Sequence, residues 1–135
     1  EKHGILNSIE FLPFLSSTDD HLNAYSEADI ALDTFPWNGV TTSFEAMWMG
    51  VPIITMKGFN FNSRCGESIN KNINLENLIA KNKEEYVDKA IYLAKNIDTL
   101  QEIRNHIYEN LTNSPLFNQK DFSKEFFLTL KNIYN

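Results

Sequence analysis

Thr41 and Thr42 follow a turn rich in Pro, Asn and Gly, and they open a helical stretch that carries Glu45. The whole run reads Asp33-Thr34-Phe35-Pro36-Trp37-Asn38-Gly39-Val40-Thr41-Thr42-Ser43-Phe44-Glu45. This pattern suits anion binding. The first N–H groups of a helix have no partner within it, so they attract negative charge, and threonine hydroxyls beside them add donors. Gly39 lets a ligand approach the backbone closely. Gly39, Thr41 and Thr42 therefore form a candidate seat for a diphosphate. Glu45 has two readings. Its spacing from Thr42 is that of a capping box, in which the carboxylate only reaches back to the cap backbone. Alternatively the carboxylate accepts hydrogen bonds from two ribose hydroxyls.

Other side chains near this turn also have chemistry to offer. His21 lies early in a preceding helical segment, where its ring either packs on the surface or stacks on a base. Lys57 and Arg64 are cations after a later apolar run, and each meets either a phosphate or a carboxylate. Cys65 has no His or Asp arrangement that would make it a nucleophile and reads as buried packing. His3 and His106 lie apart from the others, so no metal triad is indicated.

These residues need a scaffold. Three short apolar runs, Ile9–Pro13, Ile30–Asp33 and Pro52–Met56, have few polar positions and read as strands buried on both faces. Helical segments fall between them, Asp19–Ala28 and Ser43–Met49, giving the βαβαβ pattern of a parallel sheet. Gly50-Val51-Pro52 ends one helix and begins the next strand. In such sheets ligands gather beyond the C-terminal ends of the strands. The loops Phe14-Leu15-Ser16-Ser17, Phe35–Gly39 and Lys57-Gly58-Phe59 are thus expected on one rim, with the Thr41/Thr42 helix start.

The second half reads as helical. Asn82 with Glu85 and Asp98 with Gln101 both have N-cap spacing. Apolar stripes follow: Tyr86, Ala90, Leu93 and Ala94; then Leu100, Ile103, Ile107 and Leu111; and, after a break at Ser114-Pro115, Phe122, Phe126, Phe127, Leu130 and Ile133. All three stripes are expected to be core, with a last helix from about Asp121 to Tyr134 packing Phe126 and Leu130 onto the rest.

A chain of 135 residues with 42% apolar and 22% charged residues can build one globular core. Its net charge of −6 argues against nonspecific nucleic-acid binding. With Cys65 as the only cysteine, no internal disulfide forms and a cysteine-based zinc site lacks ligands, which fits the cytoplasm. No apolar run approaches the length of a membrane span, and no signal-peptide pattern is present. Three strands are fewer than the five or six of an ordinary doubly wound domain, and the chain opens at Glu1 without Met. An excised later part of a longer protein is the expectation.

Several runs taken in order resemble one family: Asp29-Ile30-Ala31-Leu32-Asp33-Thr34, Asn38-Gly39-Val40-Thr41-Thr42, Glu45-Ala46-Met47-Trp48-Met49-Gly50-Val51-Pro52, Ser63-Arg64, Leu78-Ile79-Ala80, Tyr86 and Ser114-Pro115-Leu116-Phe117. They are similar to the O-linked N-acetylglucosamine transferases and their bacterial and Spindly-type relatives. The resemblance implies a GT-B architecture of two Rossmann-like domains with a nucleotide-sugar donor between them. By it, this chain corresponds to the later part of the C-terminal, donor-binding domain, a partial Rossmann-like unit of three parallel strands, flanking helices and a helical tail. It further implies that Thr41 and Thr42 hold the diphosphate of a UDP-sugar and Glu45 the ribose. His21 would stack on the base, and backbone near Ser16 would read the base edge. No metal or other cofactor is implied. The implied partners are the donor, an acceptor protein or glycan reached through absent regions, and an absent N-terminal catalytic domain that holds the catalytic base. Val40 and Thr18 depart from the family, replacing a histidine and a lysine found in some members. The rival reading is a noncatalytic Rossmann-like module with a degenerate pocket that binds a protein.

Overall fold

A computed structural model describes residues 3–134. Three parallel strands form the sheet, in the order β1 (Ala31–Leu32), β2 (Ile53–Met56), β3 (Ile79–Ala80). Ala31 pairs with Ile53 and Leu32 with Ile54; Thr55 pairs with Ile79 and Met56 with Ala80. Among the described residues six α-helices surround and follow this sheet: α1 (Thr18–Ala24), α2 (Thr41–Trp48), α3 (Cys65–Asn72), α4 (Lys83–Lys95), α5 (Ile97–Asn110) and α6 (Gln119–Tyr134). Central strand β2 is apolar and buried at Ile53 and Ile54, and α2, α3 and α4 pack against it. Met47, Ile69, Ile73, Leu93, Ile103 and Ile107 complete the core from four helices and the turn after α3.

The expected parallel α/β architecture is present, but one strand differs. Ile9–Pro13 is not a strand. Leu6–Ser8 is a single 3-10 turn and the chain from Ile9 to Ser16 has no regular structure. Phe11 and Phe14 are 85% and 93% exposed. Apolar content alone does not make a strand: among the described residues β1 is an edge strand paired only with β2, and Ile9–Pro13 does not pair with its open side. The third strand is instead Ile79–Ala80, whose two residues are too few to show any periodicity.

The helices also shift from their expected bounds. Segment Asp19–Ala28 divides into α1 and a 3-10 turn, Tyr25–Glu27. Helix α2 begins at Thr41, two residues before the expected Ser43, with Val40 as N-cap and no side-chain cap bond. It ends as expected: Gly50 adopts φ +74° and donates to the Met47 carbonyl, and Val51 donates to that of Ala46, the paired closure of a left-handed C-terminal stop. Asn82 caps α4 by accepting from the Glu85 N–H at 2.8 Å. Asp98 is not a cap. Helix α5 starts two residues earlier than that cap implies, after Asn96, so Asp98 sits in its first turn and Gln101 bonds Asn105 instead.

The first two apolar stripes face the core as expected, except that Ala94 is exposed. The third does not. No residue of α6 is buried, and Phe122, Phe126, Phe127, Leu130 and Ile133 all lie open along it. Helical spacing records that a face can be buried, not that a partner is present in the same chain. Among the described residues no helix is long and apolar enough to cross a membrane.

Candidate functional site

Helix α2 begins directly beyond β1, so the loop between them sets where its N-terminus points. Asp33 anchors this loop from the inside. The side chain is buried, with Oδ1 accepting from the Gly39 N–H at 2.8 Å and Oδ2 from the Thr55 hydroxyl at 2.7 Å. Tyr86 of α4 donates its hydroxyl to the Asp33 carbonyl at 2.8 Å. Burial raises the Asp33 carboxyl above its ordinary range, against hydrogen bonds from Thr55, Gly39 and Thr34 that lower it. Asn38 is also buried. Its side-chain amide donates to the Thr34 carbonyl at 2.7 Å, and its backbone N–H donates to the Asn62 carbonyl at 2.9 Å. Gly39 has no room for a side chain: a Cβ there would press on the Thr42 and Ser43 hydroxyls. Glycine is thus required by the chain's own close approach as much as by any ligand.

At the start of α2 both threonines are exposed, and neither hydroxyl is engaged by another described residue. The N–H groups of Thr41, Thr42 and Ser43 have no intrahelical acceptor, as at any helix start. Two unengaged hydroxyls and three N–H groups without an intrahelical acceptor thus lie at this helix start, with Ser43 itself buried.

Glu45 does not form a capping box, because Thr42 lies inside the helix. Its Oε2 instead receives the Tyr25 hydroxyl at 3.0 Å and lies 3.1 Å from His21 Nε2. The rings of His21 and Tyr25 meet edge-on, with centroids 5.7 Å apart. Burial, followed by the hydrogen bond and charge of Glu45, pushes the Tyr25 phenol up to about 12. Ser16 stands one residue before Ser17, the N-cap of α1, whose hydroxyl accepts from the Asp20 N–H at 3.4 Å.

Two open hollows share Tyr25 of this cluster, whereas Glu45 lines neither and borders another with Leu22, Phe44, Trp48, Leu116 and Phe117. One, of about 470 Å³, is lined by Leu12–Leu15, His21, Ala24, Tyr25 and Ala28. The other, of about 190 Å³, is lined by Tyr25, Asp33, Thr34, Gly39, Thr42 and Ser43 with apolar residues of β1, β2 and α2. The first is apolar with a histidine face. The second takes in Thr42 and Ser43 of the helix start, while Thr41 lines neither. Tyr25 borders both.

Lys57 and Arg64 take the carboxylate partner rather than a free phosphate-facing position. Both meet Glu67, as does Lys71, at 3.4, 2.8 and 2.8 Å. Burial alone would raise the Glu67 carboxyl. Hydrogen bonds from Arg64 and Lys71 and the charges of Arg64 and Lys57 outweigh it and hold the group at about 2. Its stabilisation is present above the ordinary carboxyl value of 4.5 and is lost as pH falls through about 2. Stability should therefore drop between those two values, and Glu67→Gln should flatten that acid limb in a pH series of urea melts. An unaltered acid limb in the variant would count against the ion-pair cluster. Cys65 is buried, its thiol directed at the Phe61 carbonyl at 3.3 Å. His106 bonds the Ile73 carbonyl at 2.7 Å, away from the rim. Among the described residues no group of three or more His, Cys, Asp or Glu side chains is placed to hold a metal ion.

Reading the residues alone did not assign roles to Tyr25, Asp33, Asn38 or Thr55. Asp33 closes the apolar run Ile30–Asp33, and an acidic residue at the end of such a run is the signal that marks it, although the run is not buried on both faces as expected, Leu32 being 57% exposed. Tyr25 carries no comparable signal, since its partner is 20 residues away in sequence.

Known proteins resemble this chain over most of its length. Residues 2–126 match the sequence model of glycosyl transferase family 41. A Solanum lycopersicum protein described as a "probable UDP-N-acetylglucosamine--peptide N-acetylglucosaminyltransferase SPINDLY" is 41% identical over 86% of the chain. The Arabidopsis thaliana protein of the same description is 37% identical over 85%. A mutant of Thermobaculum terrenum O-GlcNAc transferase superposes over 95% of the chain with a TM-score of 0.87 and 34% identity. The chain spans 12% and 13% of the length of the two plant proteins and 24% of the solved chain.

Proposed function

Because the chain belongs to glycosyl transferase family 41, we propose that it is the later part of a C-terminal donor-binding domain and holds the nucleotide of a nucleotide-sugar donor. The observation that carries this reading is the juxtaposition at α2: a helix start with two unengaged threonines beside the His21–Tyr25–Glu45 cluster. Thr41 and Thr42 hold the diphosphate. Glu45 accepts from the ribose, and His21 offers a ring face to the base, with Gly39 and the backbone near Ser16 completing the contacts. The apolar hollow beside His21 suits a planar base.

In the reaction, the bond from the sugar's anomeric carbon to the phosphate oxygen breaks as an acceptor hydroxyl or amide attacks that carbon. The acceptor's proton passes to a base outside this chain. Negative charge grows on the departing diphosphate, and the helix start and threonine hydroxyls oppose it without a metal. The relatives' names support a UDP donor and N-acetylglucosamine as the transferred sugar, with a peptide acceptor. The exposed aromatic face of α6 supports a further part of the same protein, the N-terminal catalytic domain, as its cover. The chain by itself is expected to transfer no sugar, since a two-domain site is built from both halves.

The test is a titration of the chain with UDP and, separately, GDP while its melting temperature is followed. Ligand at a hundred times Kd stabilises a native state by about 2.7 kcal/mol, which for a domain of this size is a rise of roughly 5–15 °C. No rise with either nucleotide at millimolar concentration would overturn the donor-site reading.

A further inference from the structure

We propose that Tyr25 is a positioning residue of the ribose subsite, holding one oxygen of Glu45 so that the other is left to the nucleotide. This rests on the reading of Glu45 as the ribose acceptor. Three observations carry it. Tyr25 Oη and His21 Nε2 both lie on the same carboxylate oxygen, Oε2, at 3.0 and 3.1 Å, while Oε1 has no hydrogen-bond partner among the described residues. Tyr25 is also the residue shared by the apolar hollow beside His21 and the hydroxyl-lined hollow at the start of α2. Glu45 lines neither hollow itself and reaches their shared border through its hydrogen bond with Tyr25. Finally, Glu45 has no capping duty that would otherwise explain its orientation.

The physical consequence is specific. A carboxylate on a two-carbon stem rotates freely unless its oxygens are held. The partly buried phenol fixes that rotation at a site where water competes less well for the acceptor. With Oε2 held, Oε1 meets the ribose in a preset direction, and little ordering remains to be done when the nucleotide binds. Removing the hydroxyl leaves the ring, including its edge-on contact with His21, and takes away one of the two contacts on Oε2, leaving that of His21 Nε2.

The experiment compares UDP, 2′,3′-dideoxy-UDP and inorganic pyrophosphate, by calorimetry, on the chain and on Tyr25→Phe and Glu45→Gln. In the unaltered chain UDP should bind more tightly than the dideoxy form, by roughly tenfold for one charge-assisted bond. Tyr25→Phe should weaken UDP by about three- to tenfold, the range of one modest hydrogen bond, and leave the dideoxy form and pyrophosphate unchanged. A structural role alone would weaken all three together, and that result overturns the proposal. If Glu45→Gln removes the ribose preference while Tyr25→Phe keeps it, Glu45 remains the ribose acceptor and the role of Tyr25 fails. If the unaltered chain shows no ribose preference, both fail. Circular dichroism melts accompany each variant. If Tyr25→Phe melts early, the same three ligands are measured on Tyr25→Trp, which keeps an aromatic ring and also lacks the phenol. Selective weakening of UDP there supports the proposal, and equal weakening of all three ligands overturns it.

Discussion

A chain carrying both Thr41→Ala and Thr42→Ala is expected to lose roughly a hundredfold or more of its affinity for a nucleoside diphosphate, from two lost charge-assisted hydrogen bonds of about 1.5–3 kcal/mol each. The fold should survive. Both side chains are exposed, and neither hydroxyl bonds another described residue. Thr42 is not the helix cap, since Val40 occupies that position without a side-chain bond, so the familiar loss of about 1 kcal/mol on removing a cap does not apply. Alanine also has the higher helix propensity, which offsets part of any packing loss. The measurement is calorimetric binding of UDP and GDP, with a thermal melt of the variant beside it. Unchanged binding in a folded variant would show that the threonines do not touch the diphosphate and that the helix start alone, or another site, binds it.

Asp33→Ala should be the most damaging single change at the rim. We expect a loss of about 2–4 kcal/mol of stability, from the unmet Gly39 N–H and Thr55 hydroxyl it would leave behind. Both bonds are short, at 2.8 and 2.7 Å, and the carboxylate is buried. The upward shift of its carboxyl shows that burial has already offset part of their strength, which keeps the expectation below a simple sum of two charged bonds. Nucleotide binding should fall as well, because Gly39 and the start of α2 are positioned through this side chain. Asp33→Asn keeps one acceptor and should lose less, about half as much, since an amide oxygen can still meet one of the two donors. Urea melts of the three proteins measure the order. A loss below about 1 kcal/mol for Asp33→Ala would mean that the loop holds its shape through Asn38 and Tyr86 without the carboxylate.

Much of this molecule was legible before any tertiary structure. The turn, Gly39, Thr41 and Thr42 mark a helix start suited to anions because the signal is local: every residue involved lies within a few positions of its neighbours. Gly50 marks the end of α2 for the same reason, as does Asn82 the start of α4. The stripe Leu100, Ile103, Ile107 and Leu111 declares its buried face through spacing alone, and the ordered runs around Asn38–Thr42 and Gly50–Pro52 place the chain in its family. What tertiary structure alone decided was the choice of partner. Ile9–Pro13 and the face of α6 are as apolar as strand or core segments, yet both are exposed, because hydrophobicity states a capacity for burial and not the surface that meets it. Ile79–Ala80 is a strand only because β2 offers it an edge. Arg64 and Lys57 turn to Glu67, and Glu45 turns from the cap it was spaced to make toward Tyr25 and His21 on another element. The pairing of Glu45 with Tyr25 and His21 joins residues 20 and 24 positions apart, and no periodicity or spacing encodes it. Such contacts exist only where the folded backbone brings a donor within about 3 Å of an acceptor.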